Sequence, residues 1–161
     1  MAELFARTRR NHALEHATVE LLLEDGFRPP IGGYSIPTGF FIFGRVGTEQ
    51  LSQKAHEALR LLKEGEAQLA ISPYCGTNLA TSALLAGVLM SAILGPKRHR
   101  NYRRLPLAIV AGFGAAIVGR PLGMALQRFT TLAAADSLEI TGVHRLGAIG
   151  EFTIHKVNTH S

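Results

Sequence analysis

The sequence has a single cysteine, Cys75, in 161 residues, so no intramolecular disulfide can form and no Cys-x-x-Cys pair exists. It has no glycine-rich phosphate loop either: Gly32-Gly33 and the stretch from Gly142 to Gly150 do not stand in strand–glycines–helix order. A Gly-x-Ser-x-Gly elbow is missing as well. Nucleotide-binding, thiol-redox and serine-hydrolase chemistry therefore have no motif to rest on. Charge is scarce, at 18% of residues against 47% hydrophobic, a balance that leans towards membrane proteins. Met1 to Arg10 lead into a charged helix rather than an apolar core, so no signal peptide is expected.

The net charge of +5 is local. Residues 1–76 hold eight Lys/Arg against nine Asp/Glu, and residues 105–161 hold four against three. Residues 96–104 (Pro-Lys-Arg-His-Arg-Asn-Tyr-Arg-Arg) hold five basic residues and no acid. A nucleic-acid partner wants a basic face on a folded domain, and a basic loop is not one, so none is expected.

What the chain has in quantity is apolar sequence. Leu79 to Leu94 is one such stretch, and Leu105 to about Leu126 is a second, broken at Arg120-Pro121. Each has roughly the length needed to cross a bilayer, the first at the short limit of about 17–20 residues. Ala83, Gly87, Ser91 and Gly95 recur at every fourth position, as do Ala111, Ala115, Gly119 and Gly123. Small residues at that interval let two helices pack backbone to backbone. A transmembrane hairpin is expected, with the lipid bilayer as partner. A hairpin buried in a soluble homo-oligomer is the alternative. No ionisable residue stands in the middle of either stretch, which argues against a transport path. The positive-inside rule puts loop 96–104 on the cytoplasmic side and the rest of the chain on the other. A hairpin that only dips into the membrane would leave everything cytoplasmic.

Around the hairpin the pattern is α+β: two helices and about four short strands. A helix runs to about Asp25, with Gly26 as its stop. Gly26 to Gly33 is a loop, and Tyr34 to Val46 reads as one or two strands, the surer being Phe40 to Val46. A second helix covers Glu49 to Glu64, capped by Thr48 and ended by Gly65. Ala67 to Ser72 alternates like a strand. In the tail, Ser137 to Val143 and Glu151 to Val157 alternate too, with Gly142, Gly147 and Gly150 as breakers. The expected organisation is a head over 1–76, a hairpin over 77–126 and a β tail over 127–161 that completes the head.

The first helix carries His12-Ala13-Leu14-Glu15-His16. At about 100° per residue, His12, Glu15, His16, Val19 and Leu23 share a face, a half-buried setting in which an imidazole needs a partner. His-x-x-Glu-His is the inverted zinc-hydrolase motif. Two histidines one turn apart can share a tetrahedral zinc, and Glu15 beside them can take a proton from water. The alternative is a helix whose histidines bond neighbouring polar groups. A third ligand is not evident. His155 could complete a His12/His16/His155 site if its strand lies beside the first helix, and Cys75 is another candidate. Glu20, one turn past His16, could reach the same ion only from the side. Arg120 is expected to snorkel to the interface.

Asn11-His12-Ala13-Leu14-Glu15-His16-Ala17-Thr18, Cys75-Gly76-Thr77-Asn78-Leu79, Gln127-Arg128-Phe129-Thr130-Thr131 and the late His155 together resemble a bacterial membrane-protein family of unknown function. The likeness covers nearly the whole chain in order. It implies the two-helix membrane hairpin, hence the bacterial inner membrane, and the unity of head and tail; it implies no reaction. The His-x-x-Glu-His helix also looks like that of the pitrilysin-type metallopeptidases, through His12, Glu15 and His16. Those enzymes are larger and take their third ligand from a downstream glutamate that has no counterpart placed here. The expected protein is thus an integral membrane zinc protein. As an enzyme it would act on a membrane-tethered protein or peptide, with Glu15 as general base. As a scaffold it would hold the same His/Glu cluster as a buried polar network.

Overall fold

The computed structural model describes residues 2–96, 101–131 and 134–160. The chain forms two compact units, one of residues 1–72 with 128–161 and one of residues 73–127.

The first unit opens with helix α1, Ala2–Glu24, whose Ala, Leu and Glu content favours a helix. Gly26, at φ +89°, ends it in a left-handed conformation that a side chain would resist. Strands β1 (Gly32–Ile36) and β2 (Gly39–Gly44) make a tight hairpin. β2 has to open on glycine: Gly39 sits at φ +138°, and a Cβ there would strike the Val157 carbonyl. Helix α2, Thr48–Lys63, follows with Leu51, Ala55, Ala58, Leu59 and Leu62 buried, the 3.6-residue stripe visible in the sequence. After the hairpin unit, β3 (Glu139–Ile149) and β4 (Phe152–His160) return to this unit. The four strands form one antiparallel sheet in the order β1-β2-β4-β3. Both helices pack on the sheet, over a core of Leu14, Leu22, Phe40, Ile42, Leu51, Leu138 and Val157. The architecture is α+β.

Two expectations for this unit are corrected. Ala67 to Ser72 is not a strand: Ala67–Ala70 is a 3₁₀ helix. Ala-Gln-Leu-Ala are helix formers, and the carbonyls of Glu66 and Gln68 take the amides of Leu69 and Ile71 locally. In the tail, Gly142 and Gly147 do not break the strand. β3 runs through both, and its register against β4 shifts between Ile140 and Gly142 and again between Arg145 and Gly147. Glycine inside a strand marks a bulge here, not an end.

The second unit holds α3 (Gly76–Leu94), a 3₁₀ turn at Tyr102–Arg104 and most of α4 (Leu105–Thr130). Part of the basic loop, residues 97–100, lies outside the described residues. Pro121 does not break α4, which continues through it for nine further residues; a proline costs one ladder bond, and a long helix packed on a neighbour absorbs the loss. The two helices pack antiparallel. A Cβ at Gly119 would stand 2.5 Å from Ser82 Cα, one at Gly123 would stand 2.6 Å from Asn78 Cα, and Gly112 lies against Met90. So α4 presents Gly112, Gly119 and Gly123, while α3 presents Asn78, Ser82 and Met90. The stripe expected on α3 is turned outwards: Gly87 has no heavy atom within 4 Å of its Cβ position.

Gly76–Leu94 and Tyr102–Thr130 are long and apolar enough to cross a membrane, and only 11% and 17% of their most apolar windows are buried. That burial separates them from core helices of a soluble domain, whose apolar residues are mostly covered. Leu84, Val88, Phe113, Ile117 and Val118 are all exposed.

Candidate metal centre

α1 places His12 and His16 one turn apart, with ring centroids 4.3 Å from each other and planes at 62°. Each ring is fixed from behind by a backbone carbonyl. His12 Nδ1 lies 3.1 Å from the Thr130 oxygen, and His16 Nδ1 lies 2.7 Å from the Ala70 oxygen. A carbonyl oxygen only accepts, so in both rings Nδ1 carries the hydrogen and, in the neutral imidazole, Nε2 keeps the lone pair. This is how metal-binding histidines are usually oriented: the distal N–H is given to a carbonyl, which sets the tautomer and raises the basicity of the other nitrogen.

His16 is 3% exposed, and its Nε2 is buried without a hydrogen-bond partner. A buried acceptor left unmet costs about 1–3 kcal/mol, so the atom is placed where a ligand could meet it. The two histidines offer ring nitrogens within 4.8 Å of each other, against about 3.3 Å across a tetrahedral zinc. The pair therefore fits a shared metal with a small adjustment.

Glu15 points elsewhere on α1. It is buried, and its Oε2 accepts a hydrogen bond from Ser35 Oγ on β1. A Cβ at Gly33 would collide with the Glu15 carboxylate, so the missing side chain at Gly33 is what admits it. Next to it, Asn11 Nδ2 donates to the Ile36 carbonyl at 2.8 Å, and Thr159 Oγ1 donates to Asn11 Oδ1 at 2.7 Å. Asn11 and Glu15 thus dock α1 on the sheet, while His12 and His16 turn towards Thr130 and Ala70.

His155 does not join the pair. It is fully buried on β4, with Nε2 3.0 Å from Thr48 Oγ1 at the start of α2, and it is not among the metal-capable donors grouped with His12 and His16. β4 reaches α1 at Thr159, four residues further along, which leaves His155 under α2. Burial, and secondarily the Arg145 cation, hold its pKa below the ordinary histidine value. Glu20 is also outside the donor group, its Oε2 buried and without a hydrogen bond.

In the second unit, Cys75 is buried as the N-cap of α3, its Sγ accepting the Thr77 amide at 3.4 Å. Asn78 continues this cap: Gln127 Nε2 donates to its Oδ1 at 2.9 Å, and its own Nδ2 donates to the Pro73 carbonyl.

Sequence reading did not single out Ser35, Gly33 or the two carbonyls. No local pattern marks them, because each acts through a contact 15 or more residues away; only Thr130 lay inside a motif already noted.

The comparisons with known proteins name a family and no reaction. Residues 7–143 match the model of a domain of unknown function, DUF6391. The chain is 35% identical over 141 residues to an uncharacterised protein of a Picosynechococcus strain, covering 78% of this chain and 65% of that protein. The match thus spans a little under two thirds of the relative's length. No solved structure matches. The chain belongs to the DUF6391 family of unknown function.

Proposed function

We propose that the protein is a membrane-anchored zinc protein that holds the ion on His12 and His16 and hydrolyses a peptide or related amide. The observation that carries the reading is the buried, unpartnered Nε2 of His16, with its Nδ1–H committed to the Ala70 carbonyl. A metal held there by His12 and His16 would supply Lewis-acid polarisation of a carbonyl and of water. Glu15, the carboxylate of the motif, is the general base of this reading: turned from Ser35 towards the histidines, it would take the proton of the attacking water and return it to the leaving amine. The apolar hairpin spans the bilayer and keeps the chain among membrane-tethered substrates.

One observation favours a non-catalytic reading. Glu15 is bonded to Ser35 and backed by Gly33, a closed arrangement that suits a polar network docking α1 on the sheet. In that reading the histidines hold a structural metal or none, and the protein is a membrane scaffold.

The test is elemental analysis of the detergent-purified chain beside its His12→Ala/His16→Ala variant, after zinc add-back. About one zinc per chain in the parent and none in the variant is the expected result; no zinc in either ends the metal reading. Zinc content unchanged in Glu15→Gln, with amide hydrolysis abolished, separates the enzyme from the scaffold.

A further inference from the structure

Among the described residues, five buried side-chain atoms lack a hydrogen-bond partner, and three of them lie on α1: Arg9 Nε, His16 Nε2 and Glu20 Oε2. At about 100° per residue, Arg9, His16 and Glu20 fall within about 40° of one another, so the three atoms belong to one face of the helix. The other two, Ser82 Oγ and His155 Nδ1, sit on different elements. The row on α1 is polarised. It has a cation at its start, the two metal-capable histidines in its middle and a carboxylate at its end.

Glu20 is the member of this row that the metal reading leaves unused. A buried carboxylate oxygen without a donor is costlier than a neutral acceptor in the same position. Its place on the helix adds to the cost. α1 ends at Glu24 with no basic residue in its last turn, where the helix dipole favours a cation. Asp25, just beyond, is met by Lys54 at 2.8 Å, a cation already shared with Glu57. No Lys, Arg or His pairs with Glu20 among the described residues. Its carboxylate is therefore placed for a cation that a ligand brings.

The spacing says which cation. Glu20 stands eight residues from His12, about 12 Å along the axis, too far for the two to share one tetrahedral ion with His16. From His16 it stands four residues away, about 6 Å along the same axis. The α-ammonium of a peptide adjoins its first carbonyl, so a carbonyl met beside the histidines sets the ammonium towards Glu20. The reverse orientation would set it towards Arg9. That guanidinium, held by the Arg128 and Thr131 carbonyls at 3.4 and 3.0 Å, would repel it.

We propose that Glu20 binds the α-ammonium of the substrate, so that the site takes peptides or amides with a free N-terminus. Water adds to the first carbonyl and the C–N bond breaks. The first residue then leaves with a new carboxylate, and the shortened chain takes the proton on its amine. The proposal rests on the metal reading above, and its test keeps the two apart.

Leucine hydroxamate and N-acetyl-leucine hydroxamate offer zinc the same chelating group and differ in the free amine. Each is titrated calorimetrically into the zinc-treated full chain in detergent, with zinc content measured alongside. The free-amine compound is expected to bind about 10-fold tighter or more, the worth of one charge-assisted hydrogen bond. In Glu20→Gln that preference should vanish while zinc content stays the same. No preference in the parent, or a preference kept in Glu20→Gln, overturns the ammonium site and leaves the metal in place. Zinc lost from Glu20→Gln would make Glu20 a metal ligand, which also overturns the proposal. Neither compound binding to a chain that carries zinc overturns it alone, whereas a parent without zinc overturns the metal reading and the proposal together.

Discussion

His16 and Ala70 are joined by a 2.7 Å hydrogen bond from a ring N–H to a backbone carbonyl. The carbonyl belongs to a 3₁₀ turn, so the bond fixes both the ring plane and the end of that turn. Because Nδ1 is committed there, any ligand must meet Nε2.

Zinc should therefore stabilise the folded chain through that atom. At a free zinc concentration about 100 times the dissociation constant, the expected gain is about 2.7 kcal/mol. It should appear as a raised thermal midpoint in detergent. His16→Ala should show no zinc-dependent shift; an equal shift in that variant places the metal elsewhere.

Gly33→Ala should destabilise the protein by about 1–3 kcal/mol, since the new Cβ overpacks against the Glu15 carboxylate. Gly33 has no positive φ, so backbone strain is not the cause. A double-mutant cycle in denaturant should show the penalty shrinking in a Glu15→Ala background. An unchanged penalty would mean that the carboxylate is not what Gly33 accommodates.

His155 should make stability fall with acid. Burial first, and Arg145 second, lower its folded-state pKa below the ordinary 6.5. Between that lowered value and about 6.5 the unfolded chain binds the proton and the folded one does not, so stability rises with pH across the window. It is fully present above about pH 6.5 and is lost progressively as the pH falls towards the folded pKa. Urea midpoints measured from pH 7.5 to 5 should show a slope that His155→Gln flattens. Identical slopes in parent and variant would assign the pH dependence to other groups.

Gly119→Leu should lower the thermal midpoint in micelles, with a cost of about 1–3 kcal/mol or more, because its Cβ would press on the Ser82 backbone. Gly87→Leu should be nearly neutral, as nothing stands near its Cβ position. The opposite order would mean that α3 packs through its other face.

Periodicity carried much of the fold. The α2 stripe, the extent of α1 and the two apolar stretches are local repeats, and local repeats are written in consecutive residues. Where alternation was short, as in Ala67–Ala70, local amide pairing took the segment instead. The glycines in β3 read as strand breakers, not as bulges, since a bulge depends on the partner strand. On α3, fourfold spacing of small residues was real but did not say which face meets α4. Asn78 and Ser82 are what Gly123 and Gly119 touch.

By itself, the sequence determined that α1 carries two histidines on one face, that an α+β unit is interrupted by an apolar hairpin, and that the excess charge lies in one loop. Those are properties of spacing and composition. Tertiary structure decided the rest. It sent Glu15 to Ser35 on the sheet, buried His155 under α2 instead of beside His12, and set the tautomer of both site histidines through the carbonyls of Ala70 and Thr130. Each of those outcomes turns on contacts between residues at least 15 apart in the chain, and residue spacing along one helix or strand holds no information about them.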